Sequence, residues 1–231
     1  MPDSARPLPL ASPAPGVEAW TCELTRSRDD VAALADVLSP AEHARAARFG
    51  RPELRERYVV GRATLRFLLG QRLGVAPEAV VIDRGRRGRP LVAGAPDLDF
   101  NVSHTRGVAL FGITASGRIG VDIEHEAREL NVTGVARKFM SPREQAALAA
   151  LGEDARRRTL LRLWTCKEAM SKATGDALSA PFRRLDVELV PAPRLVDGPA
   201  PYTASRWRLL AVEVPGGYFA TVALWHEQAP P

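Results

Sequence analysis

The chain has 231 residues, 45% hydrophobic and 26% charged, with a net charge of +5, enough for one large domain or two small ones around a real core. No apolar run approaches the roughly 20 residues of a membrane-spanning helix, and no membrane partner is expected. Two cysteines, Cys22 and Cys166, and four scattered histidines offer no zinc spacing.

The opening 1–16 is rich in Pro and Ala without the apolar centre of a signal peptide. It is expected to be a disordered tail, and the protein a cytoplasmic one with reduced thiols. Residues 17–27 read as a strand. Ser39, Pro40 and Glu42 open a helix, with Ser39 as N-cap and Glu42 closing a capping box. A second helix runs from about 53 to 73, ended by Gly74 and Pro77. Strands follow near 79–83, 98–103 and 107–114. The second half begins near 116–117 with a strand over 118–124. Ser141-Pro142-Arg143-Glu144 repeats the helix start, a long helix covers about 156–174, and strands follow near 184–190, 205–214 and 218–226.

These signals recur at a nearly constant offset. The two Ser-Pro-x-Glu starts lie 102 positions apart, the long helices, matched at Gly70 and Gly175, lie 105 apart, and the strands 107–114 and 217–224 about 110. A duplicated unit of roughly a hundred residues follows. The expected fold is α+β: two similar halves, 17–116 and 117–231, related by a pseudo-twofold, each a small antiparallel sheet packed with a long helix. A cleft between them is a natural place for a ligand.

Four constellations carry chemistry. In Gly120-Val121-Asp122-Ile123-Glu124 on a strand, Val121 and Ile123 face the core while Asp122 and Glu124 share the other face. Two close carboxylates repel unless a cation lies between them, and hard oxygen donors favour Mg2+ with room left for phosphates; an amphipathic strand with solvated acids gives the same pattern. In Trp164-Thr165-Cys166-Lys167-Glu168-Ala169-Met170-Ser171-Lys172, Glu168 and Lys172 share a helix face: either a routine surface pair, or a third metal carboxylate beside a cation for phosphate charge. Asn101-Val102-Ser103-His104-Thr105 lies at a strand-to-strand turn where Ser103, His104 and Thr105 can grip a phosphate, or where Asn and Ser merely stabilise the turn. Glu144, in Phe139-Met140-Ser141-Pro142-Arg143-Glu144, is the expected capping-box residue; it could cap the helix and still act at the site, although the cap needs no function. The excess of Arg, clustered at 45–72, 84–89, 137–143 and 156–162, suits an anionic partner, although each cluster by itself reads as a solvated helix face.

Taken together, Asn101-x-Ser103-His104, Gly120-x-Asp122-x-Glu124, Phe139-x-Ser141-x-x-Glu144 and Trp164-x-x-Lys167-Glu168-x-x-x-Lys172 resemble the 4'-phosphopantetheinyl transferase superfamily, in the order and spacing of its larger, Sfp-type members. The resemblance runs from about Leu38 to Trp225. It implies a monomeric pseudo-dimer that moves the 4'-phosphopantetheine group of coenzyme A onto a serine of an acyl or peptidyl carrier protein, as in fatty-acid, polyketide or nonribosomal-peptide assembly, releasing 3',5'-ADP. It implies Asp122, Glu124 and Glu168 as Mg2+ ligands. His104 and Arg57 would lie at the coenzyme A 3'-phosphate, with Ser103 beside them. Lys167 and Lys172 would lie at the phosphates, Lys172 stabilising the leaving group. Arg89 stands in Gly88-Arg89-Pro90 where relatives often carry Lys, and Arg45 and Arg48 are candidates for the adenosine end.

For the proton of the carrier serine, Glu144, Glu168 and a water on the metal stay open. Arg137, Lys138 and Arg143 are expected to meet an acidic carrier. Two other classes use the same residues: a Mg2+-dependent phosphatase or nucleotide hydrolase, and a basic nucleic-acid-binding protein. The latter is disfavoured by four carboxylates facing a phosphate backbone and by the lack of aromatics for stacking on bases.

Overall fold

A computed structural model describes Met1 and residues 6–227. The chain opens with a short strand, β1 (Leu8–Pro9), paired antiparallel to β2 (Val17–Glu23). Three helices follow: α1 (Arg28–Ala35), α2 (Pro40–Ala47) and α3 (Pro52–Leu73). Ser39 and Glu42 form the expected capping box on α2, with Pro40 in the first turn, and Gly74 closes α3 in the left-handed conformation that glycine adopts without steric cost. A hairpin of β3 (Ile82–Arg84) and β4 (Pro90–Val92) leads into β5 (Asp99–Thr105) and β6 (Val108–Thr114). The first sheet has the order β1-β2-β6-β5, all antiparallel.

The second half repeats this plan. Strand β7 (Arg118–His125) is followed by α4 (Val132–Phe139), α5 (Pro142–Ala149) and α6 (Glu153–Thr174). A hairpin of β8 (Asp186–Glu188) and β9 (Arg194–Asp197) precedes β10 (Trp207–Val212) and β11 (Tyr218–Trp225). The sheet order β10-β11-β7 matches β5-β6-β2. Helices α3 and α6 are both 22 residues long, and their left-handed terminators, Gly74 and Gly175, stand 101 positions apart. Gly74, not Gly70, is thus the counterpart of Gly175, and the offset agrees with the 102 of the two capping boxes.

The correspondence extends to buried charge. Glu42 of the first capping box is ion-paired with Arg66 of α3, whose guanidinium also donates to the carbonyls of Pro77 and Val80 at 2.9 and 3.0 Å. Glu144 of the second is paired with Lys167 of α6, whose ammonium donates to the carbonyls of Phe182 and Leu185 at 2.8 Å each. In each half a cation inside the long helix fastens the capping-box carboxylate to the segment that precedes or enters the hairpin.

Each half has its own apolar cluster, around Leu34, Leu69 and Phe111 in the first and Leu160, Met170 and Tyr202 in the second. A third joins them: Ala14, Val17 and Leu110 pack with Ile119, Val121, Ile123, Val212 and Val222. Part of the expected loose tail belongs to this joint. The Leu10 amide donates to the Ala19 carbonyl at 2.9 Å, Ala14 is 6% exposed, and both lie on the shared cluster because β1 and the following turn cover apolar surface that would otherwise meet water. Residues 2–5 of that tail lie outside the described residues. Cys22 and Cys166 are both buried, and no described helix is long and apolar enough to cross a membrane.

Candidate active site

The site forms where the two sheets meet edge to edge. Strand β5 presents Asp99, Asn101, Ser103 and Thr105 on one face, as a period of two dictates, and all four reach β7. Asp99 accepts from the Ile119 amide at 2.7 Å and Asn101 from the Val121 amide at 2.9 Å. Ser103 Oγ donates to Asp122 Oδ1 at 2.8 Å, and Thr105 Oγ1 donates to Glu124 Oε2 at 3.4 Å. On β7, Val121 and Ile123 enter the shared core as expected, while Asp122 and Glu124 point the other way. That face is not open to solvent: Asp122 is 4% and Glu124 8% exposed, because α6 lies across it. Gly120 permits the close crossing. A Cβ there would overlap the Ala169 carbonyl and stand 2.7 Å from the Ala173 amide nitrogen. The helix thereby sets Glu168 and Lys172, four residues apart on one face, over the two acids.

Lys172 Nζ donates to Asp122 Oδ1 at 2.6 Å, to Ser103 Oγ at 2.9 Å and to the Val121 carbonyl at 3.2 Å. Asp122 Oδ2 is buried with no hydrogen-bond partner. Glu124 is ion-paired with Arg128, one helical-type step further along the chain. The Glu124 and Glu168 carboxyls are both held above the usual range, first by burial and then by the charge of Asp122. The His104 imidazole is pushed down by burial and by the neighbouring Lys172 and Arg57 cations, against the pull of Asp122. Ser103, His104, Arg57, Asp122, Glu124, Glu168 and Lys172 therefore share one electrostatic environment drawn from both halves.

Other expected residues lie elsewhere. Lys167 is fully buried, hydrogen-bonded at 2.5 Å to Glu144 and at 3.1 Å to the Phe139 carbonyl, so it faces the second core and not the phosphate side. Glu144 is 3% exposed, and its oxygens accept from the amides of Ser141 and Val187 and from Lys167; neither is free to take a proton from a protein substrate. Arg89 is turned away into an ion pair with Asp99. Arg45 lies over the Tyr58 ring at 5.8 Å and Arg48 is the exposed C-cap of α2. Neither bonds to the carboxylates among the described residues. Arg143 is held by Asp186 and Glu188, and Lys138 lies over Phe139 at 5.0 Å. Thr105, expected as a phosphate-gripping residue of the turn, instead bonds to Glu124. Arg128 was not anticipated as a site residue; its signal is the four-residue step from Glu124.

Among the described residues no three His, Cys, Asp or Glu side chains converge closely enough to hold an ion outright. The donor set nevertheless suits a hard divalent cation: three carboxylates face two cations, Lys172 and Arg128, and one buried carboxylate oxygen is left without a partner. Hollows of about 660 and 780 Å3 flank α6 elsewhere, and Asp122, Glu124 and Glu168 line neither of them.

Such a two-lobed α+β architecture, with acids, a lysine, a histidine and an arginine converging on the seam, defines a phosphate-handling enzyme assembled from two like halves. Residues 118–223 match the model of the 4'-phosphopantetheinyl transferase superfamily, and residues 20–114 that of the 4'-phosphopantetheinyl transferase N-terminal region. The chain is 35% identical over 212 residues to the 4'-phosphopantetheinyl transferase HetI of Nostoc sp., covering 90% of this chain and 87% of that one. It is 28% identical over 152 residues to a 4'-phosphopantetheinyl transferase of Bacillus subtilis, 66% of each, and 33% identical over 123 residues to AcpT of Escherichia coli K12, 53% of this chain and 60% of that one. The chain belongs to the 4'-phosphopantetheinyl transferase superfamily. Its activity is the transfer of phosphopantetheine to carrier proteins.

Proposed function

We propose that the donor is coenzyme A, that Mg2+ is required, and that the seam between β5, β7 and α6 is where the group is transferred. The observation that carries this reading is Asp122: one oxygen is shared by Ser103 and Lys172, and the other is buried and unpaired. Asp122, Glu124 and Glu168 would hold the ion, which when bound supplies positive charge against the pyrophosphate. His104, Ser103 and Arg57 receive the 3'-phosphate from the first half. Lys172 donates to the phosphate oxygens on which charge grows as 3',5'-ADP leaves.

The carrier serine Oγ attacks the β-phosphorus, its new O–P bond replacing the bond to 3',5'-ADP, and its proton passes to a carboxylate. With Glu144 closed inside its cap, Glu168 is the carboxylate suited to this. It is half-buried, and its environment raises its affinity for a proton. The carrier is an acyl or peptidyl carrier protein, with Arg137 and Lys138 on α4 and Arg143 on α5 as its basic contacts. A single chain that carries both halves of the seam supports action as a monomer. A nucleic-acid partner is disfavoured by the acids at the seam.

The test is intact-mass spectrometry of an apo carrier protein incubated with this protein, coenzyme A and Mg2+. A mass gain equal to the phosphopantetheine arm is expected, lost with EDTA and with Glu168→Ala. A gain that survives both treatments would remove the metal and the Glu168 role; release of phosphate or ADP without carrier modification would establish a hydrolase instead.

A further inference from the structure

Arg89 has a different task from the one its sequence context implies. Its guanidinium forks onto Asp99 through two hydrogen bonds of 2.9 and 2.7 Å. Its Nε donates to the Lys172 carbonyl at 3.0 Å, and Nη2 also donates to the Ile119 carbonyl. Four of its five N–H groups are thus used inside the protein. The Asp99 carboxylate takes the Ile119 amide at 2.7 Å as well, and Asp99 is 4% exposed. The left-handed Gly175 that ends α6 packs against the Arg89 stem, with a Cβ there 3.7 Å from Arg89 Cβ. One side chain therefore ties the segment before β4 to the first residue of β5, to the start of β7 and to the last turn of α6.

Those last two elements carry the chemistry: β7 holds Asp122 and Glu124 three and five residues after Ile119, and α6 holds Lys172 itself. We propose that Arg89, with Asp99, is a positioning residue for the transfer reaction. It makes no contact with coenzyme A, and it sets the height of α6 over β7, so that the Lys172 ammonium reaches Asp122 and Ser103. Lysine would lose the planar fork onto Asp99, because its ammonium has three N–H groups on a single atom for the four bonds that the guanidinium makes from three nitrogens. This rests on the transferase reading for its kinetic arm only.

The experiment is a double-mutant cycle between Arg89→Ala and Lys172→Ala, with coenzyme A affinity measured by calorimetry and hydrogen exchange read by mass spectrometry. Arg89→Ala is expected to lower kcat at least about tenfold while coenzyme A affinity changes less than about threefold, and to cost less than about threefold in the Lys172→Ala background. Arg89→Lys is expected not to rescue, and Asp99→Asn, which keeps the shape and leaves no buried charge unpaired on the carboxylate side, is expected to reproduce the kcat loss. Peptides covering 117–124 and 170–176 should exchange faster in Arg89→Ala than in the wild type. Loss of coenzyme A affinity rescued by Arg89→Lys would make Arg89 a substrate contact and overturn the proposal. Full additivity with Lys172→Ala, or unchanged exchange in both segments, would overturn it too. Failure of the wild type to load any carrier would sink the transferase reading, and the exchange result would still decide the clamp.

Discussion

Two carboxylate–ammonium pairs made by lysines of α6 show what separates a complete buried ion pair from an incomplete one. Lys167 and Glu144 satisfy every group they bring: the ammonium meets one carboxylate oxygen and three carbonyls, and the carboxylate meets two amides besides. A buried pair of this kind is stable only because it is complete. Lys172 and Asp122 leave an oxygen over, and Glu124 and Glu168 beside them are held toward their protonated forms. That has a thermodynamic consequence. In the metal-free protein the folded state retains protons on these two groups at pH values where the unfolded chain, titrating near 4.5, has released them. Stability contributed this way is present below about 4.5 and is lost as pH rises through the raised values. His104, whose pKa is lowered, works with the opposite sign near neutrality, so the informative quantity is a difference. In EDTA, the gap in melting temperature between Glu168→Gln and wild type is expected to widen in favour of the variant as pH rises from 4.5 toward neutrality, and Mg2+ is expected to narrow it. A gap independent of pH would show that Glu168 titrates normally.

The helix α6 is the element on which most of the site depends, and its placement rests on Gly120. Replacing Gly120 by alanine sets a methyl group against helix backbone, not against a side chain that can turn aside. A cost of about 3 kcal/mol in stability is expected, at the upper end of overpacking. Activity should fall about a hundredfold beyond what unfolding explains, because a displacement near 1 Å at reacting groups has that effect. Thermal melting and kcat of Gly120→Ala measured together check both; a variant of normal activity would mean that α6 does not set the site. The glycine of Gly-Val-Asp-Ile-Glu was legible as part of a motif, but its reason was not, since nothing in a linear sequence says which helix crosses which strand. The same limit applies to Lys167. Its neighbour Glu168 shares a face with Lys172 by the period of 3.6, whereas Lys167 is rotated about 100° from Glu168 toward the core, and only the fold shows that a buried carboxylate awaits it there. Helix α4 was missed for a different reason. Its apolar residues Val132, Val135, Ala136 and Phe139 do follow helical spacing, but Gly134 and β-branched residues weaken its propensity, and it holds because that face packs on the second core.

At the scale of the molecule, the duplicated signals in sequence proved to be duplicated structure down to the cation that holds each capping box, while the consequence for stability could be read only from the packing. The shared cluster takes Ala14, Val17 and Leu110 from the first half and Ile119, Val121, Ile123, Val212, Ala220, Val222 and Leu224 from the second. Gly112 of β6 allows this contact, since a Cβ there would stand 2.6 Å from Val121. The seam adds the hydrogen bonds of Asp99, Asn101 and Ser103 to β7. Cutting the chain between the halves would expose an apolar sheet face on each and strip buried polar groups of their partners, at a cost near 1–3 kcal/mol for each such group, against a total stability of only about 5–15 kcal/mol for a domain. Residues 1–116 and 117–231 expressed separately are therefore expected to show no cooperative thermal transition. Co-expressed, they should associate into a complex that melts cooperatively and loads a carrier protein, since Ser103 and His104 come from one half and Asp122, Glu124, Glu168 and Lys172 from the other. A separate half that melts cooperatively would place the stability in the individual cores, and the seam would then be a docking surface between two independent folds.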